Sequence, residues 1–159
     1  MQRALFGLAD FAVDRINLID RTAADAAGEA ARYAALLRKI GGADVQLLGL
    51  GTNGHIGFNE PGSSCDSRVR VVGLCEETLF ASRPGLIEPE AAPARAITMG
   101  IADILDMREI IVLATSPAKA KSVRHSLRGA PGVYCPAPFL LSHPKIHLYR
   151  DSATAAALD

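Results

Sequence analysis

Three side chains able to handle protons or hold such a group in place, Asn53, His55 and Glu60, fall within the ten-residue stretch Gly51-Thr-Asn-Gly-His-Ile-Gly-Phe-Asn-Glu60. Imidazole titrates nearest neutrality, so His55 can take up a proton and return it nearby. An amide or carboxylate bonded to its other ring nitrogen would fix the tautomer and the ring orientation. Asn53 and Glu60 can reach that position because a glycine-rich backbone bends back on itself. A plainer reading makes His55 a turn histidine and Glu60 a solvated side chain. The residue types alone leave both readings open.

The same stretch contains Gly49-Leu-Gly-Thr-Asn-Gly54, which satisfies the dinucleotide fingerprint G-x-G-x-x-G and follows a strand-like run. That fingerprint needs a helix to open at its last glycines, so that the helix N-terminus holds pyrophosphate. Here His55-Ile-Gly-Phe-Asn-Glu-Pro-Gly62 follows, and Gly57, Pro61 and Gly62 forbid a long regular helix. Glu76 lies roughly twenty residues further on, beyond a second strand-like run, but the βαβ unit is incomplete without its helix. Nicotinamide binding is set aside.

The elements that must position the loop are legible as an alternation. Residues 45–50, Val-Gln-Leu-Leu-Gly-Leu, form an apolar run of strand length, as expected where helices cover both faces of a parallel sheet. Residues 15–19 are short and β-branched, and Asp20 with Thr22 offers capping chemistry for a helix over 23–40, ended by Gly41-Gly42. Further strands are expected at 69–74, 96–99, 110–114 and 146–149, with helices near 100–105 and 117–127. This pattern predicts an α/β domain with a mostly parallel sheet and ligands at the carboxyl ends of its strands. The loop after Leu50 is then the first place to look.

With 159 residues, 49% of them apolar, the chain can bury the core of one domain spanning 1–159. Its 17 basic and 17 acidic residues cancel without a run of like charge, which removes the footprint of a nucleic-acid binder and favours a small-molecule partner. Nine prolines and 14 glycines are spread along the chain, so no linker divides it. Cys65, Cys75 and Cys135 lack the spacing of a zinc or redox motif and read as reduced thiols. The opening segment is too short and interrupted for a signal peptide, and no stretch reaches the ~20 apolar residues that span a bilayer. A soluble, cytoplasmic protein away from membranes is expected. His143 and His147 have no acid or cysteine set to complete a metal site and read as structural, and His125 as a surface residue of a helix.

Asn53-Gly-His-Ile-Gly-Phe-Asn-Glu-Pro-Gly62, entered from Leu47-Leu-Gly-Leu-Gly51, resembles the signature of the glucosamine-6-phosphate deaminases, which belong to a larger set with the 6-phosphogluconolactonases. The Phe58-Asn-Glu-Pro61 tail favours the deaminase branch. Resemblance continues at 96–106, at Ser116-Pro-Ala-Lys119 and at Ser142-His-Pro-Lys145, so it covers nearly the whole chain. It implies a Rossmann-like fold and conversion of glucosamine 6-phosphate to fructose 6-phosphate and ammonia, with no metal or organic cofactor. It also implies roles. The histidine matching His55 relays a proton between the anomeric and ring oxygens, and the glutamate matching Glu60 supports and orients it. Asn53 stands where some relatives carry Asp, and an amide orients imidazole without adding charge. Lys119 matches a phosphate-binding lysine, with a solvated surface lysine as its plainer reading. Arg83 matches a phosphate arginine, although Pro84 follows where relatives often have aromatic residues.

Family members also carry an N-terminal part with a glycine- and serine-rich phosphate loop and an aspartate that moves the proton from C2 to C1. Neither has a counterpart in these residues, because Asp10, Asp14 and Asp20 do not sit in that context. The expectation is a ring-opening half-site with impaired activity, on a sheet whose apolar edge or face is uncovered. Instability or association, for instance as a homo-oligomer, would follow. A catalytically silent sugar-phosphate-binding module and a galactosamine-6-phosphate deaminase are the alternatives. The Phe58-Asn-Glu-Pro61 tail argues against lactone hydrolysis.

Overall fold

The structure is a computed structural model and describes residues 5–82, 93–130, 132 and 134–155. In chain order its elements are α1 (Ala26–Ile40), β1 (Val45–Gly49), β2 (Arg70–Gly73), α2 (Glu76–Ser82), β3 (Arg95–Thr98), α3 (Ile101–Leu105), β4 (Glu109–Ala114), α4 (Ala120–Arg128), β5 (Ile146–Arg150) and α5 (Ser152–Ala155). Strands β1, β4 and β5 form a parallel three-stranded sheet with β4 in the centre, and β2 and β3 form a separate antiparallel pair. The chain is therefore α/β with a Rossmann-like parallel sheet and helices packed against it. No described helix is long and apolar enough to cross a membrane.

Period-two alternation decides where the core sits. Leu48, Val112 and Leu148 are in register, and with Ile110 and Ala114 they build one face of the sheet. Ile101 and Ile104 of α3, Val123 of α4, and Ala137 with Leu140 of the 3₁₀ segment Ala137–Ser142 complete that core. Ile101, Ile110 and Val123 are fully buried, each worth about 1.5–3 kcal/mol of apolar transfer. The other face differs from the expectation of coverage on both sides. Val45, Leu47, Leu113 and Tyr149 point away from the core and are 51%, 60%, 44% and 59% exposed. Helix α1 packs instead on the β2–β3 pair.

The expected strand at 15–19 does not form. Val13–Arg15 is a 3₁₀ turn, and residues 16–20 run without regular structure. Side chains of α1 take the backbone groups that a ladder would have used: Arg32 donates to the Leu18 carbonyl at 3.0 Å, and Glu29 accepts from the Asp20 N–H at 2.7 Å. β-Branched residues fit a strand only where a neighbour offers an edge. The helix also starts later than expected, at Ala26. Asp20 spends its side chain on Thr22, and Asp25 is the cap, accepting from the Ala27 and Gly28 N–H groups at 3.0 Å each. Gly41, at φ +75°, closes the helix as expected, with the Gly42 N–H reaching the Leu37 carbonyl at 2.9 Å.

Asp25→Ala should lower stability to urea unfolding by about 1 kcal/mol, and Asp25→Asn, which retains a cap acceptor, by much less. Equal losses would show that the cap bonds do not matter.

Candidate functional site

The loop after β1 is built so that its histidine turns back over its own start. The Gly51 N–H donates to the His55 carbonyl at 2.9 Å, and the Gly54 N–H to the Gly51 carbonyl at 3.1 Å, with Gly54 at φ +83°. A Cβ on Gly51 would lie 2.3 Å from His55 Nδ1, so only glycine leaves room for the imidazole. No helix opens between residues 50 and 76, which agrees with setting aside the dinucleotide reading. Beyond the histidine, Ile56 and Asn59 are fully buried anchors. The Asn59 amide donates to the Ile56 and Met99 carbonyls at 3.0 and 2.8 Å and accepts from Arg70 at 2.9 Å. The Phe58 N–H donates to Thr98 Oγ1 at 3.0 Å, tying the loop to β3.

Asn53, His55 and Glu60 are brought into one hydrogen-bonded group. Asn53 Oδ1 lies 2.8 Å from His55 Nδ1 and accepts the His55 backbone N–H at 3.0 Å, while Asn53 Nδ2 donates to Glu60 Oε2 at 2.8 Å. A backbone N–H can only donate and a carboxylate can only accept, so both contacts fix which end of the amide is oxygen. The oxygen end then requires a hydrogen on Nδ1. In the neutral ring, Nε2 is left with its lone pair, the form a general base needs.

Electrostatics favour that form. Burial is the main influence holding the His55 imidazole below its ordinary pKa; the Glu60 carboxylate opposes it, the Lys119 charge reinforces it and Glu77 opposes it weakly. Burial pushes the Glu60 carboxyl upward, but the polar side chains of Thr78, Asn53 and Cys75 around it outweigh that effect, so Glu60 stays below the ordinary carboxylate range. The pair at neutral pH is thus a neutral imidazole beside an anionic carboxylate. Their atoms Nδ1 and Oε2 are 3.7 Å apart.

Lys119 reaches the same pole because β1 and β4 run parallel, with Gly49 level with Leu113, so their following loops lie side by side. It ends the 3₁₀ turn Pro117–Lys119, whose preceding Ser116 is held at φ 115°. Asp151 accepts the Ser116 N–H at 3.0 Å and Thr154 donates to the Ser116 carbonyl at 3.0 Å, two bonds that hold the strained turn. Arg83 lies outside the described residues. Sequence reasoning missed α2, whose first turn meets the loop: Thr52 bonds Glu77 at 2.6 Å, Asn53 Nδ2 lies 3.8 Å from Cys75 Sγ, and Thr78 Oγ1 lies 3.3 Å from His55 Nδ1. The signal was available as Cys75-Glu-Glu-Thr78 after a strand, two acids in the first turn of a helix.

The remaining histidines take no part in this group; of the thiols, Cys75 borders it, with its Sγ 3.8 Å from Asn53 Nδ2. His143 is buried between the Met107 carbonyl, 2.8 Å from Nε2, and Lys145, and His147 lies 3.1 Å from Glu109. Among the described residues no group of three or more His, Cys, Asp or Glu side chains is arranged to hold a metal. Cys65, Cys75 and Cys135 are free thiols. A concavity of about 520 Å³ lined by Arg38, Arg68, Asp103 and Asp106 opens at the opposite, amino-terminal pole of the sheet.

The family of glucosamine-6-phosphate isomerases and 6-phosphogluconolactonases matches residues 1–148. The chain belongs to this family. A glucosamine-6-phosphate deaminase of Rhodopirellula baltica is 48% identical over 159 residues, covering 100% of this chain and 63% of that protein. A solved monomeric glucosamine-6-phosphate deaminase superposes with a TM-score of 0.95 at 37% identity, covering 100% of this chain and 66% of the other. The 6-phosphogluconolactonase of Trypanosoma brucei shares the fold, with a TM-score of 0.72 at 24% identity. The chain thus spans a little under two thirds of the family members it matches.

Asn53→Asp places a second carboxylate against His55 and Glu60, so the His55 pKa should rise relative to the parent protein. Ring-nitrogen NMR across a pH titration measures it. An unchanged or lowered value would mean that residue 53 does not face the ring.

Proposed function

We propose that this chain belongs to an enzyme of glucosamine 6-phosphate deamination, yielding fructose 6-phosphate and ammonia, and that it carries the ring-opening chemistry. The observation that supports this most is the Asn53 amide, which holds a hydrogen on His55 Nδ1 and leaves Nε2 free. Nε2 takes the proton from the anomeric hydroxyl. As the bond between C1 and the ring oxygen breaks, the same nitrogen returns the proton to that oxygen. Both oxygens are bonded to C1, so one base serves both transfers with a small displacement. Asn53 Oδ1 and the Glu60 charge stabilise the imidazolium that exists between them.

Lys119 supplies the cation for the substrate phosphate at the same pole, and Arg83 is assigned the same duty on the resemblance alone. The later shift of a proton from C2 to C1, with water expelling ammonia, needs a second base for which the resemblance designates no residue here. The reaction class is a hydrolytic deamination coupled to aldose–ketose isomerisation, within amino-sugar phosphate breakdown in the cytoplasm.

Ring opening is measurable apart from deamination, as exchange between the α and β anomers of glucosamine 6-phosphate by magnetisation-transfer NMR. The chain should accelerate this exchange, and His55→Ala should remove roughly 10² to 10⁴ of the acceleration. Ammonia release, compared with galactosamine 6-phosphate, reports whether the later steps also proceed and with which epimer. Binding without exchange would point to a silent sugar-phosphate module, and neither binding nor exchange would sink the reading. Lys119→Ala should weaken sugar-phosphate binding by roughly tenfold while leaving affinity for the dephosphorylated sugar unchanged, measured by calorimetry.

A further inference from the structure

Helix α2 lies against the loop through three successive contacts made by its first turn and the residue before it, to Thr52, Asn53 and His55. Thr78 is the innermost of these residues, only 3% exposed, so its hydroxyl must find partners inside the protein. Three groups surround it. Cys75 Sγ lies 3.4 Å and His55 Nδ1 3.3 Å from its oxygen, and the Glu60 carboxylate, whose Oε2 is 3.7 Å from the same ring nitrogen, lies beside them with Oε1 buried and unpartnered.

We propose that Thr78 is a positioning residue for the His55–Glu60 pair, its hydroxyl donating to Glu60 while its oxygen faces the Nδ1–H edge of the imidazole.

Donor and acceptor counts lead there. His55 Nδ1 already gives its hydrogen to Asn53 Oδ1 at the shorter distance of 2.8 Å, so Thr78 does not need to accept it. The hydroxyl has one hydrogen, and the remaining neighbour that can only accept is Glu60. Glu60 depends on this donor more than a solvated carboxylate would. Asn53 holds its Oε2, while its Oε1 is buried without a hydrogen-bond partner and is left for the Thr78 hydroxyl to serve. Asn53 comes from the loop itself, whereas Thr78 comes from a separate element and anchors the pair from outside. The charged groups acting on His55 are Glu60 and Lys119, with Glu77 weaker, and the Cys75 thiol closes the same side.

The inference rests on His55 being the ring-opening base, but its test can be read without substrate. Thr78→Val removes the hydroxyl at nearly constant shape, and Thr78→Ser restores it. Carboxyl-carbon and ring-nitrogen NMR titrations should show the Glu60 pKa moved upward in Thr78→Val and returned towards the parent value in Thr78→Ser. His55 should move downward as its anionic neighbour is held less firmly against it. In the anomer-exchange assay the same variant should lose about tenfold or more in kcat with little change in KM, and serine should recover most of it. If Thr78→Val does not fold, Thr78→Cys, whose thiol is a weaker donor, should give the same shifts at smaller size. A folded Thr78→Val or Thr78→Cys protein whose Glu60 and His55 titrate as in the parent overturns the proposal. If the parent protein shows no exchange, the ring-opening reading falls, while the titrations still decide whether Thr78 positions the pair.

Discussion

A single side-chain amide organises this pole of the molecule. Asn53 has one acceptor end and one donor end, and each is committed: the oxygen to the His55 ring and backbone, the nitrogen to Glu60. An amide cannot reverse without placing its NH₂ against a ring N–H and its oxygen against a carboxylate. The protonation pattern of the group is therefore set by geometry before any titration begins. Much of the surrounding structure keeps that amide in place. Gly51 clears space for the ring, Gly54 makes the turn, and the buried Asn59 fastens the far side of the loop to residues reached only through β3.

The parallel sheet does the longer-range work. Because β1, β4 and β5 point the same way, the segments leaving them gather at one end, and side chains from distant parts of the sequence meet there. Ser116 shows what this costs. A non-glycine residue at φ 115° is strained by about 1–3 kcal/mol, and it persists because Asp151 and Thr154, just beyond β5, hold both its N–H and its carbonyl. Ser122 of α4 donates to the Thr52 carbonyl, so the helix that follows β4 braces the loop after β1.

Much of this was legible in the sequence where a local rule governs. The strands at 45–50, 69–74, 96–99, 110–114 and 146–149 were readable from apolar runs, and the grouping of Asn53, His55 and Glu60 from glycine spacing, because both follow from short-range periodicity and backbone freedom. Segment 15–19 misled, since its β-branched residues state a preference that only a neighbouring strand can satisfy, and Arg32 and Glu29 took its backbone groups first. Helix α2 left only a faint local signal, the acids of its first turn. Its seven residues carry too few turns for periodicity to register, and its importance lies in contacts to residues more than twenty positions earlier. The cap was expected at Asp20 and is Asp25 instead, because Asp20 is already bonded to Thr22.

The one-sided packing of the parallel sheet bears on how the chain responds to temperature and denaturant. Unfolding exposes only what folding had hidden, and Val45, Leu47, Leu113 and Tyr149 are already in contact with solvent. The heat-capacity change and the denaturant slope both scale with newly exposed surface. Both are accordingly smaller than for a chain of equal length with two covered faces. A stability curve of smaller curvature is broader, so the folded population changes more gradually with temperature and denaturant than it would with two covered faces.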